Sequence, residues 1–340
     1  MNAAPSPIIQ TLALDGPWPG VDPFLFTAHH VDRYPRGNEQ MAPEADLAGR
    51  TLGQDFSGTD GWSMYHGQTV PGFPAHPHRG FETVTLVEEG LVDHTDSAGA
   101  EARYGQGDAQ WLTAGAGISH CEMFPLVNQN QPNPLHLFQI WLNLPPEDKT
   151  ADPYFTILWA EETPIVTVTD AAGRTGRVKV IAGRFDGQEA PPPPPASWAA
   201  RPDTEVAIWH IELDAEAELT LPAADLPVTR TLYVYDGTLE VAKQHLTNAA
   251  AVVEATEPLP IRAGTAPVRL LLLQGRPIGA PVVQNGPFVD NTREGLAAAF
   301  NDYRAGKFGR WESPVHDPVH AREQPRFARH ADGTWRTPPQ

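Results

Sequence analysis

Phe73-Pro74-Ala75-His76-Pro77-His78-Arg79-Gly80-Phe81-Glu82-Thr83 is the stretch from which the fold is read. In an extended strand residues i and i+2 project from the same face, so the imidazoles of His76 and His78 meet on one side. Pro77 favours that geometry. It drives His76 into extended φ/ψ and, lacking an N–H, places the segment at a sheet edge or strand start. His120-Cys121-Glu122 repeats the pattern, with an imidazole and a carboxylate at i and i+2 and Cys121 turned to the opposite face. Gly90, Gly99, Gly105, Gly107, Gly115 and Gly117 lie between the two pairs, supplying the turns by which an antiparallel barrel returns its chain to one interior. Three imidazoles and one carboxylate suit a divalent first-row metal: iron, manganese, cobalt, nickel or copper. Four protein ligands on an octahedral ion leave two positions for water, dioxygen or substrate.

Outward from this stretch, the pattern stays β. Glu82–Val87 is β-branched and Phe138–Leu144 alternates, while Gly90 to Gly107 reads as a hairpin through Asp96-Ser97-Ala98-Gly99. The polar, Pro-containing run Leu144–Lys149 predicts a domain boundary near residue 148. Beyond it come short β-rich runs at Val166–Val168, Arg177–Ile181, Glu205–Leu213, Ala217–Leu221, Arg230–Tyr235, Val252–Glu254 and Val268–Leu273. Asp236-Gly237 predicts a tight hairpin, and the five prolines Pro191–Pro195 a stiff surface loop. One helix is expected, capped by Asn291 with Glu294 at its third position. Leu296, Phe300 and Tyr303 would form its apolar stripe and Gly306 its stop. The stretch 311–340, rich in His, Pro and Arg, reads as an extended tail.

Composition agrees and excludes much else. Among 340 residues, 36 Pro and 29 Gly mark a turn-rich chain with few long helices, hence an all-β class. Lys+Arg 24 against Asp+Glu 42 gives a net charge of −18 with no basic cluster, which excludes a nucleic-acid reader. Apolar runs such as Leu270–Leu273 are far too short to cross a bilayer, so no membrane partner is expected. The N-terminus lacks the basic and apolar regions of a secretory signal. A lone cysteine, Cys121, forms no intramolecular disulfide. A cytoplasmic protein is the expectation.

The motifs also carry a family resemblance. Phe73–Thr83 and Gly107–Glu122 (GDAQWLTAGAGISHCE) resemble the two hallmark motifs of the pirins, which are bicupin, iron-binding proteins. Gln139–Pro145 resembles the strand that ends the family's first cupin, and Asn285–Val289 with Asn291-Thr292 its C-terminal signature. The likeness runs from about Asp22 to about Gly309. It implies two cupin (double-stranded β-helix, jelly-roll) barrels with a C-terminal helix. These are a metal-binding cupin over 1–148 with an insertion at about 29–68, a metal-free cupin over 149–310, and the tail. It places the metal ligands on His76, His78, His120 and Glu122, makes Fe(II) the first expectation over Mn, Co, Ni or Cu, and implies quercetin 2,3-dioxygenase-like activity.

Around these ligands Glu82, where other cupins carry a carboxylate ligand, is expected to be a partner orienting an imidazole. Arg79 and Gln110 are candidates to bind substrate, Cys121 a packing residue, and His29, His30 and His66 surface residues of the insertion. His210 and His245 are isolated. Glu122 is the candidate general base for a substrate hydroxyl. An enzyme using a small aromatic enediol and dioxygen is the first expectation. The alternative is a redox-sensitive regulator binding a protein partner through an iron-containing cupin, the acidic surface favouring a protein over DNA.

Overall fold

Strand-forming runs dominate both halves of the chain. The structure, a computed structural model that describes residues 6–339, folds them into two all-β units with one α-helix among the described residues. Among the described residues, 29–161 and 280–339 cluster as one unit; 6–28 and 162–279 form the other.

The unit that carries the His pairs is built on the part of β1 (Phe24–Tyr34) from His29 onward, β2 (Gly72–His78), β3 (Phe81–Glu89), β4 (Leu91–Asp96), β5 (Glu101–Gly105), β6 (Ala109–Thr113), β7 (Ile118–Met123), β8 (Asn133–Asn143) and β9 (Tyr154–Leu158). One sheet runs β9-β6-β3-β8-β1 and the other includes β5-β4-β7-β2. Val87, Val92, Tyr104, Leu112, Leu137 and Phe155 form part of its buried core. The predicted hairpin at Asp96–Gly99 is present: Leu91 pairs with Gly105 and Thr95 with Glu101. Asp96 Oδ1 accepts the N–H groups of Ala98 and Ala100, and Gly99 takes φ 91, a left-handed value that glycine adopts without strain.

In the second unit the strands at 8–13, 249–253, 229–236, 268–275, 207–213, 175–182 and 165–169 make a seven-stranded sheet. A four-stranded sheet is built from 218–221, 259–263, 239–241 and 244–246. A core of Val178, Trp209, Ile211, Leu232, Leu270 and similar residues is buried.

Several expectations need correction. The linear division at residue 148 gives way to an interleaved one, because backbone pairing overrides sequence proximity. Ile8–Ala13 pairs with Ala249–Val253, and the last sixty residues return to the first barrel. Asp236-Gly237 turns the chain but makes no hairpin: Thr229–Asp236 pairs with strands at 249–253 and 268–275, while Leu239–Val241 joins the other sheet. The helix α1 (Arg293–Arg304) is capped by Thr292, whose hydroxyl accepts the Gly295 N–H at 2.9 Å; Asn291 instead donates to the Pro281 carbonyl. The expected apolar stripe is present: Leu296 and Phe300 pack towards Phe288 and Phe308, and the half-exposed Tyr303 lays its ring 5.4 Å from Phe308 and 6.0 Å from Phe288.

The tail is no loose extension. Phe327–Arg329 pairs with β5, and the fully buried Arg103 ties the preceding segment down. Its guanidinium bonds both oxygens of Asp93 at 2.7 and 2.8 Å and reaches the carbonyls of His320, Ala321 and Gln324 at 3.1, 2.8 and 2.8 Å. Arg326 bonds Asp108 at 2.8 Å and also pairs with Glu161. Earlier in the tail, the His316 carbonyl accepts the Ala75 N–H at 2.6 Å, one residue before His76. A buried cation that satisfies so many acceptors leaves a large deficit when removed. Arg103→Met is expected to cost about 3–5 kcal/mol of folding free energy, read as a lowered urea midpoint; an unchanged midpoint would show that the tail anchor contributes nothing.

Candidate functional site

The site begins with two edge-paired strands. β2 and β7 run antiparallel with His76 opposite His120 and Phe73 opposite Glu122, the register shifting between those pairs. Cross-strand partners project from the same face, so both i, i+2 pairs predicted from the sequence point into one space. Nitrogens of His76, His78 and His120 all lie within 4.8 Å of one another. His76 Nε2 is 3.1 Å from His78 Nε2, and the His120 ring lies 4.5 Å from that of His76 and 4.9 Å from that of His78. His76 Nδ1 is 2.9 Å from the Pro74 carbonyl, which can only accept; Nδ1 therefore carries the proton and Nε2 presents its lone pair to the cluster.

Burial, the largest cause in each case, holds all three imidazoles below the ordinary histidine range. Their mutual proximity adds to this at His78 and His120, while Glu122 opposes it at His76. Neutral imidazoles are the metal-binding form. Both ring nitrogens of His120 are buried with no hydrogen-bond partner. An unpaired buried polar atom costs about 1–3 kcal/mol, a deficit that one ligated cation would offset at the nitrogen facing the cluster. The donor set thus fits a divalent first-row metal. Glu122 stands beside it: Oε2 is 3.7 Å from His120 Nε2.

Other predicted residues divide. Gln110 lies across the ladder from Thr85, on the same interior face. Its Oε1 is 3.5 Å from the Tyr104 hydroxyl and its Nε2 is buried without a partner. Glu82 is not brought to the ligands. Phe81 meets His78 and Thr85 meets Glu122, so strand alternation turns Glu82 to the other side, where it accepts the Thr113 hydroxyl at 2.7 Å. Arg79 is likewise drawn away, its guanidinium bonded to Asp302 on α1 at 2.7 Å. Cys121 is fully buried with Val70 and Met123, and burial pushes its thiol up to about 12.

Two groups escaped the sequence reading. Gln139 on β8 donates from Nε2 to both oxygens of Glu122, at 3.0 and 2.8 Å, and the Thr85 hydroxyl adds a contact at 3.3 Å. Alternation of Phe138–Leu144 was legible, but only the folded ladder shows which face meets Glu122. The second group corrects the surface placement of the insertion histidines. His30 Nδ1 lies 2.8 Å from the Tyr65 hydroxyl, which donates to Asp32 Oδ2 at 2.8 Å; Asp32 Oδ1 accepts the Ser63 N–H at 2.8 Å. His29 pairs with His136 at 3.0 Å and stacks on Phe138. His66 alone is exposed, bonded to the Gly53 carbonyl.

Comparison with known proteins adds a family. Residues 18–142 match the family described as Pirin, and 208–309 the Pirin C-terminal cupin domain. A Pseudomonas aeruginosa protein named "putative quercetin 2,3-dioxygenase" is 37% identical over 240 residues, covering 70% of this chain and 79% of its own length. A pirin-like protein of Caulobacter vibrioides is 36% identical over 267 residues, covering 78% and 90%. The crystal structure of a quercetin 2,3-dioxygenase from Acinetobacter baumannii superposes with a TM-score of 0.69 over 89% of this chain and 98% of that one, at 24% identity, which shows the shared bicupin fold.

Two measurements follow. Native Cys121 should resist a thiol reagent such as DTNB and react once unfolded; rapid native labelling would contradict its role as a buried packing residue. Burial, opposed by the Tyr65 and Ser63 hydrogen bonds, raises Asp32 to about 6. With its folded value above the unfolded one, the native state keeps a proton that the unfolded chain has lost. This group's stabilising contribution therefore falls as pH rises from about 4 to about 6 and stays low above. Relative to Asp32→Asn, wild-type protein should lose about 3 kcal/mol across that window, seen in urea midpoints at pH 4 and pH 7; parallel midpoints would contradict the shift.

Proposed function

The chain belongs to the pirin family, and from that premise we propose that its first barrel is a metal-dependent dioxygenase site for quercetin or a related small aromatic enediol. The observation that carries the reading is the cluster of three neutral imidazoles whose member His120 has both nitrogens buried and unpartnered. His76, His78 and His120 would hold the ion, with Glu122 as fourth ligand. Fe(II) is the first expectation and Mn, Co, Ni and Cu suit the same donors. Such an ion supplies Lewis acidity and an electron path between substrate and dioxygen.

The protein's own part is positioning. Pro74 fixes the His76 tautomer, and Gln139 with Thr85 orients the Glu122 carboxylate. Phe73 lies edge-on to His76, while Trp141 lies edge-on to His78 and stacks on Phe81 at 3.9 Å between ring centres. These rings give the ligand cluster an apolar, aromatic border that excludes water and matches a planar aromatic guest. The relatives named for quercetin dioxygenation supply the substrate class.

Protein purified without added metal should carry close to one equivalent of a first-row ion by elemental analysis. His78→Ala and His120→Ala should lose most of it. Metal-loaded wild type should consume oxygen with quercetin, a chelator should abolish the uptake, and Fe(II) should restore it. Uptake no greater than that of Glu122→Gln would count against dioxygenase chemistry.

A further inference from the structure

A dioxygenase of this kind must remove a hydroxyl proton from its substrate, and the sequence reading gave that task to Glu122. Yet both Glu122 oxygens are already engaged by Gln139 Nε2, and Oε1 also by the Thr85 hydroxyl. A second acceptor lies one ring away, beyond Phe73. His30 is 5.9 Å from Phe73, ring centre to ring centre, and Phe73 is 6.3 Å from His76 and the cross-strand partner of Glu122.

Hydrogen-bond direction fixes the state of His30. The Tyr65 hydroxyl has one proton, which it gives to Asp32, so its oxygen accepts from His30. Nδ1 thus carries the hydrogen and Nε2 a free lone pair. His30 is half-buried and its Nε2 makes no hydrogen bond among the described residues. The imidazole is neutral, since burial lowers it to about 4.

The insertion is built to hold this arrangement. Tyr65 sits at φ 55, a left-handed conformation that is costly for a bulky side chain and persists only where surroundings impose it. Here they do. Its backbone N–H and C=O pair with Asp55 at 2.7 and 2.8 Å, and its ring stacks on Phe73 at 5.2 Å. Asp55 is in turn fixed by the buried Arg50, which bonds it at 2.8 Å and lies 3.5 Å over the Trp62 ring.

We propose that His30 is the catalytic base of this site and that Tyr65 and Asp32 are positioning residues that carry the proton onward. The inference rests on the dioxygenase reading and deepens it. As the substrate O–H bond breaks, the proton joins His30 Nε2. The Nδ1 proton passes to the Tyr65 oxygen, and the Tyr65 hydroxyl proton passes to Asp32 Oδ2. The substrate is left as its anion and Asp32 as the neutral acid; His30 has exchanged tautomers and Tyr65 is unchanged. No redox partner is needed for this step. The groups facing Asp32 are Tyr65, Tyr34, Asp55 and Arg50. Ionised Asp32 is the receptive form, so the relay operates above about pH 6 and fails below.

The test uses full-length, metal-loaded protein and quercetin. Mixed without oxygen, wild type should show the red-shifted absorption of ionised flavonol above about pH 6 and lose it below. Tyr65→Phe and Asp32→Asn should bind quercetin in its neutral form, with metal content unchanged, KM near wild type and kcat down about a hundred-fold. His30→Gln should do the same, which guards against a folding defect peculiar to one variant. If Tyr65→Phe and Asp32→Asn keep the ionised spectrum, kcat and pH profile while Glu122→Gln loses the spectrum with metal in place, the base is Glu122 and the relay is wrong. If wild type neither ionises quercetin nor consumes oxygen with it, the dioxygenase reading fails and the relay falls with it.

Discussion

The antiparallel register of β2 against β7 is the constraint on which the site depends. Setting His76 opposite His120 and Phe73 opposite Glu122 brings residues more than forty positions apart into one space, with three imidazoles that burial keeps neutral. A slip of one residue would turn every one of these side chains to the other face. The register is defended from both ends. Gly72 starts β2 at φ 131, where an added Cβ would stand 2.5 Å from the Glu122 carbonyl oxygen, so only glycine fits. The His316 carbonyl on the returning tail bonds Ala75 in mid-strand.

Charged residues do unusual structural work around this barrel. A buried ion pair contributes little by itself because desolvation offsets the attraction. Arg103 with Asp93 and Arg50 with Asp55 instead gain from saturation: each guanidinium also collects backbone carbonyls of a segment that has no strand partner of its own. In this way the tail and the insertion, both polar and irregular, acquire fixed conformations. The insertion then presents Tyr65, Asp32 and His30 as one connected network, where the sequence suggested surface histidines.

What could be read in advance follows from how far each feature depends on its neighbours in the chain. The His76/His78 and His120/Glu122 pairs rest on strand alternation, a local rule, and Cys121 was assigned to the opposite face by the same rule. Glu82 was misplaced because whether a strand residue faces the ligands depends on the register of β3, which no local pattern supplies. Arg79 was misplaced because its partner, Asp302, lies on a helix more than two hundred residues later. Gln139 has no role legible in the sequence, since its contact with Glu122 arises only when β8 closes the barrel.

Sequence alone therefore determined the all-β class, the bicupin family and the four candidate ligands, since period-two alternation, turn glycines and short motifs are written in consecutive residues. The tertiary structure decided which segments belong together: the N-terminal strand with the second unit, the last sixty residues with the first. It also decided which polar side chains meet inside the barrel. Those outcomes are fixed by long-range backbone pairing and by where buried charges find enough acceptors, and neither leaves a trace in local composition.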